Sequence, residues 1–263
     1  MSVKSILKKI IPERIRYYMR VAMSRIGMVA SHTLYYIYGI RINNPKDIPI
    51  IINNYNRLDY LKQLIESLES RGYHNIRIID NKSNYQPLLD YYDSCSYKVY
   101  RLDKNVGYLS IWQTDIYKEY IRSYYVYTDS DMRIADDCPD DFMAKFVGIL
   151  KKYPMAQKAG FGLKIDDLPD TFKNKDKVLK HEARFWHFPV GDDVYAAEID
   201  TTFALYRPFC KGKAARWQRT FRTGGKYQIH HLPWYVDSEN MTEEEQYYVN
   251  TIAQSTYWSQ QAK

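Results

Sequence analysis

The 263-residue chain is 45% hydrophobic and 26% charged, ordinary proportions for a globular protein and long enough to bury one large core, or a core plus a small appendage. Its net charge of +7 does not make it a basic protein: residues 1–47 hold nine basic residues against two acids, and the 29 basic and 29 acidic residues that remain cancel. Three cysteines (Cys95, Cys138, Cys210) without a CxxC spacing disfavour both a disulfide framework and a zinc site, and fit a reducing cytosol.

Residues 1–47 alternate basic and apolar positions. A membrane-spanning helix needs about 20 mostly apolar residues, and Arg20, Arg25 and His32 interrupt every window of that size. No signal-peptide cleavage pattern follows. The tract reads as a basic amphipathic helix lying on an anionic membrane surface, where each Lys or Arg adds about 1 kcal/mol. The competing reading is a helical extension packed on the main domain with its basic face in water. Nucleic acid is not expected as a partner, because no recognition motif accompanies the charges. The expected location is therefore cytoplasmic, peripheral on the cytoplasmic face of the membrane.

The composition changes near Pro49. IPIIINNYNR (48–57) is a continuous apolar run with a polar end, as expected of a parallel strand buried on both faces. A helix follows with Leu58, Leu61, Ile65 and Leu68 on one face and Gly72 at its end. IRIIDNKS (76–83) predicts a second strand, then a helix around 85–93. YKVYRLDKNVG (97–107) predicts a third strand and turn, then a helix over 110–121. YYVYTDSD (124–131) predicts a fourth strand. Strands alternating with helices imply a parallel sheet with right-handed crossovers.

Ligands of such sheets sit outside the carboxyl ends of the strands. Four consecutive strands end in polar clusters: Asn53, Asn54, Asn56 and Arg57; Asp80, Asn81 and Ser83; Asp103, Asn105 and Gly107; Asp129 and Asp131. The last pair raises a charge problem. One residue apart in a strand, both carboxylates face the same side, and like charges about 4 Å apart repel by roughly 1 kcal/mol in water and more in a drier site.

Beyond the fourth strand a helix is expected near Phe142, Phe146 and Leu150. A strand and loop are expected over 159–169, and a strand over 194–208 with Asp200 at its middle. Residues 207–226 carry seven basic residues and no acid. A closing helix opens with Thr242 and Glu245, the spacing of a capping box. Twenty-seven tyrosines suit a cleft with apolar walls and a wet mouth.

These residues resemble the nucleotide-sugar-dependent glycosyltransferases of the GT-A fold, most of all the large bacterial family that builds surface polysaccharides. NNYNRLDYLKQLIESL is similar to that family's opening strand and helix, IIDNKS to its second strand, DKNVGYL to its Asn-x-Gly turn, and TDSD to its DxD motif. The likeness is good over 48–134 and loose beyond. It implies an α/β fold with a Rossmann-like, mostly parallel central sheet flanked by helices. The basic helical extension 1–47 would precede a catalytic domain over 48–263, whose nucleotide-binding half is 48–134 and whose acceptor half is 135–263.

The resemblance also implies chemistry. Asn54 and Arg57 would hold the nucleotide, Asp80 and Ser83 would read base and ribose, and Asn105 and Gly107 would bring backbone close to the sugar nucleotide. Asp129 and Asp131 would hold Mn2+ or Mg2+ against the donor diphosphate, which would relieve their repulsion. His231, in HHLPWY, would add a metal ligand. Many relatives carry a Gly-x-x-x-Ala-Arg-Asn run after the Asn-x-Gly turn, whereas this chain has GYLSIWQTD. Gripping the diphosphate would then fall to segment 207–226 or to Lys104.

Asp200 is the expected catalytic base, because a carboxylate inside an apolar strand is costly unless used. Asp237 and Glu239 are the alternatives, while Glu243, Glu244 and Glu245 are explained by the dipole of the closing helix. The expected activity is metal-dependent sugar transfer from a nucleotide diphosphate sugar, a UDP-sugar, to a glycan or lipid-linked glycan. Nucleotidyl transfer and a non-catalytic, membrane-associated scaffold that binds sugar nucleotides are the competing readings.

Overall fold

The computed structural model describes residues 12–212, 219–237 and 239–251. A long helix, α1 (Glu13–Tyr38), leads through a short 3-10 turn into β1 (Ile50–Asn54). The chain then alternates through α2 (Asp59–Glu69), β2 (Ile76–Asp80), α3 (Gln86–Ser94), β3 (Lys98–Arg101), α4 (Ser110–Gln113), α5 (Tyr117–Tyr120) and β4 (Tyr125–Asp129). Next come β5 (Met132–Ile134), α6 (Phe142–Lys152), β6 (Ala156–Leu163) and α7 (Lys175–Glu182). The remaining elements are β7 (Pro189–Gly191), β8 (Val194–Ala196), β9 (Ala204–Tyr206), β10 (Arg219–His231) and α8 (Glu243–Thr251).

One sheet holds the strands in the order β3-β2-β1-β4-β9-β6-β10-β8-β7, with β5 beside β10. β1 to β4 pair in parallel, as their alternation with helices predicts. Among the described strands, all but β5, β8 and β9 run in one direction, so the sheet is mostly parallel. The period of two sorts side chains onto its faces. Ile50, Ile52, Ile76, Ile78 and Val126 enter the core shared with α2 and α6. Ile51, Ile79, Tyr125 and Tyr127 enter a second core with residues of α4 and α5. Each such isoleucine, fully buried, stabilises the fold by about 1.5–3 kcal/mol. Several tyrosines are core residues as well: Tyr125, Tyr127 and Tyr206 are fully buried, and the first two donate to Cys210 O and Tyr108 O.

The structure departs from the sequence reading in four places. The helix expected over 110–121 is two short ones, because Thr114 is extended (φ −126°, ψ 170°) and its hydroxyl donates back to Ser110 O. The strand expected over 159–169 is β6, which begins and ends earlier. The strand expected over 194–208 is divided. β8 stays on β10 while β9 pairs with β4 and β6, and the loop between them crosses the sheet face, where Arg222 donates to Glu198 O and Lys158 to Ile199 O. Asp200 rides on that loop, exposed rather than buried in a strand.

The fourth departure is the basic segment 207–226, of which residues 213–218 lie outside the described residues. Its last part is the start of β10. Arg207 and Arg222 point inward: Arg207 donates to Ala156 O and Leu150 O, and Arg222 pairs with buried Glu182 at 2.6 Å. These two arginines are committed to the core and do not grip a diphosphate. Lys104 remains exposed in the turn after β3.

Candidate active site

The parallel half of the sheet opens at the ends of β1, β2 and β4, and the turns there are tied to one another. Asn53 Oδ1 accepts from Ser110 Oγ (2.6 Å) and from Asn81 Nδ2 (3.2 Å). The same Asn81 amide donates to Gly107 O (2.7 Å), and its oxygen accepts from Val106 N (2.8 Å). Gly107 has φ +81°, which glycine adopts without strain, and Asn105 closes that turn by accepting from Gly107 N (2.8 Å).

Asp80, Ser83 and Asn54 are buried and hold these turns in shape. Both Asp80 oxygens accept from Ser83 N (3.2 Å), and Ser83 Oγ accepts from Asn56 N (2.9 Å). Burial pushes the Asp80 carboxyl above the usual carboxylate range, with the Ser83 hydrogen bonds pulling the other way. Asn54 donates to Arg57 O and to the Tyr92 hydroxyl, each at 2.8 Å.

β4 ends at Asp129, and Asp131 sits in the turn before β5 rather than in the strand. The two carboxylates are answered differently. Arg57 Nη1 donates to Asp131 Oδ2 at 2.7 Å, and His231 Nε2 lies 3.6 Å from the same oxygen. Asp129 Oδ2 accepts one hydrogen bond from Thr201 Oγ1, and the Asp129 backbone N–H donates to Thr201 O (3.0 Å) in return. No cationic side chain is bonded to it among the described residues. Burial, then the charges of Asp131 and Asp200, push the Asp129 carboxyl well above its ordinary range, against the hydrogen bonds of Thr201 and Asn53. Asp200, on the loop that carries Thr201, thus stands within electrostatic reach of both Asp129 and His231.

Arg57 is buried in a socket made largely by α8. Glu245 Oε2 lies 3.5 Å from its Nη2, and the Tyr248 ring centroid is 3.7 Å from its guanidinium carbon. Burial opposes its charge, but Tyr248, Asp131 and Glu245 raise its pKa further above the ordinary value. The rest of α8 also lies on this edge. Glu244 accepts from Leu58 N (2.9 Å) and Asp59 N (3.0 Å), capping α2. Tyr247 donates to Asn84 O (3.1 Å), and Thr251 accepts from Asn56 Nδ2 (3.0 Å) and from the Tyr55 hydroxyl (3.1 Å).

The dipole explanation of Glu243–Glu245 is therefore incomplete. Glu245 N does bond to Thr242 Oγ1 (3.2 Å), one half of the capping box. Glu244, however, caps a helix 185 residues away in sequence, and Glu245 faces Arg57. No local signal could have located either contact. Asp237 is not brought into the cluster: its carboxylate accepts from Glu239 N (2.9 Å) and Asn240 Nδ2 (2.8 Å) in its own loop.

Adjacent His230 and His231 face opposite ways along β10. His230 Nε2 lies 3.1 Å from Asp167 Oδ2, beside a cavity of about 440 Å³ that also involves Gln63, Arg133 and Tyr235. His231 faces Asp131. Burial holds its pKa below the ordinary value, which keeps a ring nitrogen available as a neutral electron-pair donor, and its buried Nδ1 has no hydrogen-bond partner among the described residues.

A hard divalent cation fits this edge as an open half-site. Asp131 and Asp129 offer oxygens and His231 offers a nitrogen, and among the described residues no cationic side chain is bonded to Asp129. Among the described residues no group of three such side chains closes round an ion, so phosphate oxygens of a ligand would have to complete the shell, a common arrangement for Mg2+-type ions.

Neither the family models nor the curated proteins contain a match to this chain. Solved structures match part of this chain at low TM-scores. They are glycosyltransferases. Residues 1–349 of TarS from S. aureus match at 15% identity with a TM-score of 0.37, over 61% of this chain and 47% of that one. GalNAc-T7, solved with UDP, GalNAc and Mn2+, matches at 15% identity with a TM-score of 0.46, over 70% and 43%. Glucosyl-3-phosphoglycerate synthase from Mycobacterium tuberculosis, solved with phosphoglyceric acid, matches at 12% identity with a TM-score of 0.38, over 61% and 56%. The chain spans about half the length of each of them.

Proposed function

We propose that this chain moves a sugar from a nucleotide diphosphate sugar, a UDP-sugar, to a glycan or lipid-linked glycan. The observation that carries the reading is the meeting of Asp129, Asp131, the Asp200 loop and His231 at the carboxyl edge of parallel strands. The turns of Asn81, Asn105 and Gly107 continue that edge, and exposed backbone there suits a sugar nucleotide. Bound Mn2+ or Mg2+ would supply Lewis-acid neutralisation of the charge that gathers on the departing nucleoside diphosphate.

The chain's own residues divide the work. Asp131 and His231 face the diphosphate position, and Asp129, held by Thr201, faces ribose or an ion's water. Asp200, exposed beside them, is placed to take a proton from the acceptor hydroxyl. Lys104 is the exposed cation at the sugar-nucleotide turn. The acceptor half of the chain would then lie over β5 to β10, and the work would be done at the cytoplasmic face of a membrane.

A second reading has one observation in its favour. Arg57 already neutralises Asp131 and α8 lies over the edge, as in a scaffold that binds sugar nucleotides without turnover. Release of UDP from a panel of UDP-sugars with Mn2+, compared between wild type and Asp131→Ala, decides between the two. A transferase releases UDP slowly and loses this on substitution; binding without release supports the scaffold. If no nucleotide sugar of a UDP, GDP and CMP panel raises the melting temperature with Mn2+ present, both readings fail.

A further inference from the structure

α1 is held to the body by one stripe. Met28 and Ser31 are its buried residues; Ser31 Oγ donates to Pro208 O (2.6 Å), His32 Nε2 meets Pro154 O (2.7 Å), and Tyr35 packs edge-on against Tyr124. With a turn of about 100° per residue, Met28, Ser31 and Tyr35 share one face. The face about 180° away would be polar in an ordinary surface helix. Here it carries Ile15, Met19, Met23, Ile26, Val29 and Ile37, all exposed, Met23 at 68% and Ile26 at 69%. On the same wheel Arg16 and Arg20 flank this stripe on one side and Arg14 and Arg25 on the other, and the helix has one acid, Glu13.

We propose that this stripe is a membrane-docking surface: α1 lies in the headgroup layer of an anionic bilayer, its apolar residues inserted and its arginines paired with lipid phosphates. The arrangement is apolar outward with cations along both borders, which is what an interfacial helix needs. Tyr18, Tyr36 and Tyr38, all exposed, add the aromatic side chains that favour that layer. No helix among the described residues is long and apolar enough to cross a membrane, so the helix lies on the bilayer and does not span it. A second copy of the chain is a poorer occupant. Two such stripes face to face would set rows of arginine against each other with only Glu13 to offset them. The proposal is independent of the sugar-transfer reading, and its failure would leave UDP release untouched.

The test is flotation of the full chain with phosphatidylglycerol vesicles and with pure phosphatidylcholine vesicles. Wild type is expected to float with the anionic vesicles, to bind them at least tenfold less in 0.5 M salt, and to stay behind with the neutral ones. Met23→Ser/Ile26→Ser and, separately, Arg14→Glu/Arg25→Glu should each weaken binding tenfold or more at unchanged melting temperature, since all four side chains are exposed. Equal flotation of wild type and both variants, or no flotation of wild type with anionic vesicles, overturns the proposal. So does a dimer in light scattering that Met23→Ser/Ile26→Ser converts to monomer.

Discussion

Arg57 and Asp131 form a 2.7 Å ion pair that joins the first strand's turn to the acidic tip of the fourth. Their side chains are 7% and 19% exposed, so the pair is largely shielded from water. Breaking a buried pair leaves a stranded charge, which costs more than the pair is worth. Arg57→Ala should strand Asp131 and Glu245 together and lower stability by about 3–5 kcal/mol, read by urea unfolding. An unchanged midpoint would mean that water already reaches the pair.

Substitution at the acidic tip takes a partner from buried Arg57 and so costs stability, but it should cost activity more. Asp131→Asn should lower Mn2+-dependent UDP release by at least about 100-fold, roughly 2.7 kcal/mol of barrier. The far-UV spectrum should be unchanged. Chelation of the metal should reduce wild type to the same residual rate and leave the variant where it was. A variant that keeps its rate removes Asp131 from the reaction.

Glu244 and Glu243 are neighbours in sequence with different work. Glu244 caps α2 through two backbone N–H groups, whereas Glu243 is exposed. Glu244→Ala should therefore cost about 1–2 kcal/mol, the range for a lost helix cap, and Glu243→Ala should fall within about 0.5 kcal/mol of wild type. Thermal melts of the two variants check this, and equal costs would contradict the cap.

Asp80 gives a dependence on pH. Its folded pKa is raised by burial, so the folded chain holds its proton where the unfolded chain has released it. Stability from this group therefore falls as pH rises above about 3.9, the unfolded value, through the raised folded value. Asp80→Asn removes that titration while keeping an oxygen for Ser83 N, and should flatten the decline of stability that sets in above about pH 4. A variant with the same slope as wild type would place the decline elsewhere.

The parallel half was legible because each strand there is an apolar run with a polar end, and each helix between carries its own face. Asp129 and Asp131 were legible because a strand end with two carboxylates is locally odd. What escaped was set by contacts distant in sequence. The socket of Arg57 depends on Glu245 and Tyr248, and the cap of α2 depends on Glu244. The apolar residues of 194–208 read as one strand because nothing local says that Ile199 belongs to a loop crossing β10 and β6. β10 was hidden by its own composition, since Gly224 and Gly225 interrupt it and Arg222 pairs inside.

That interruption matters to the acidic edge. β10 is in register with β6 at Thr223↔Phe161 and again at Gln228↔Gly162, so residues 224–227 form an excursion with no counterpart on the partner strand. Its length is even, and the alternation of side chains resumes in phase beyond it. An excursion one residue longer or shorter would turn each imidazole to the opposite face of the strand and take His231 away from Asp131. The choice between two neighbouring histidines is thus written in the length of a glycine-bearing detour, several residues before either of them.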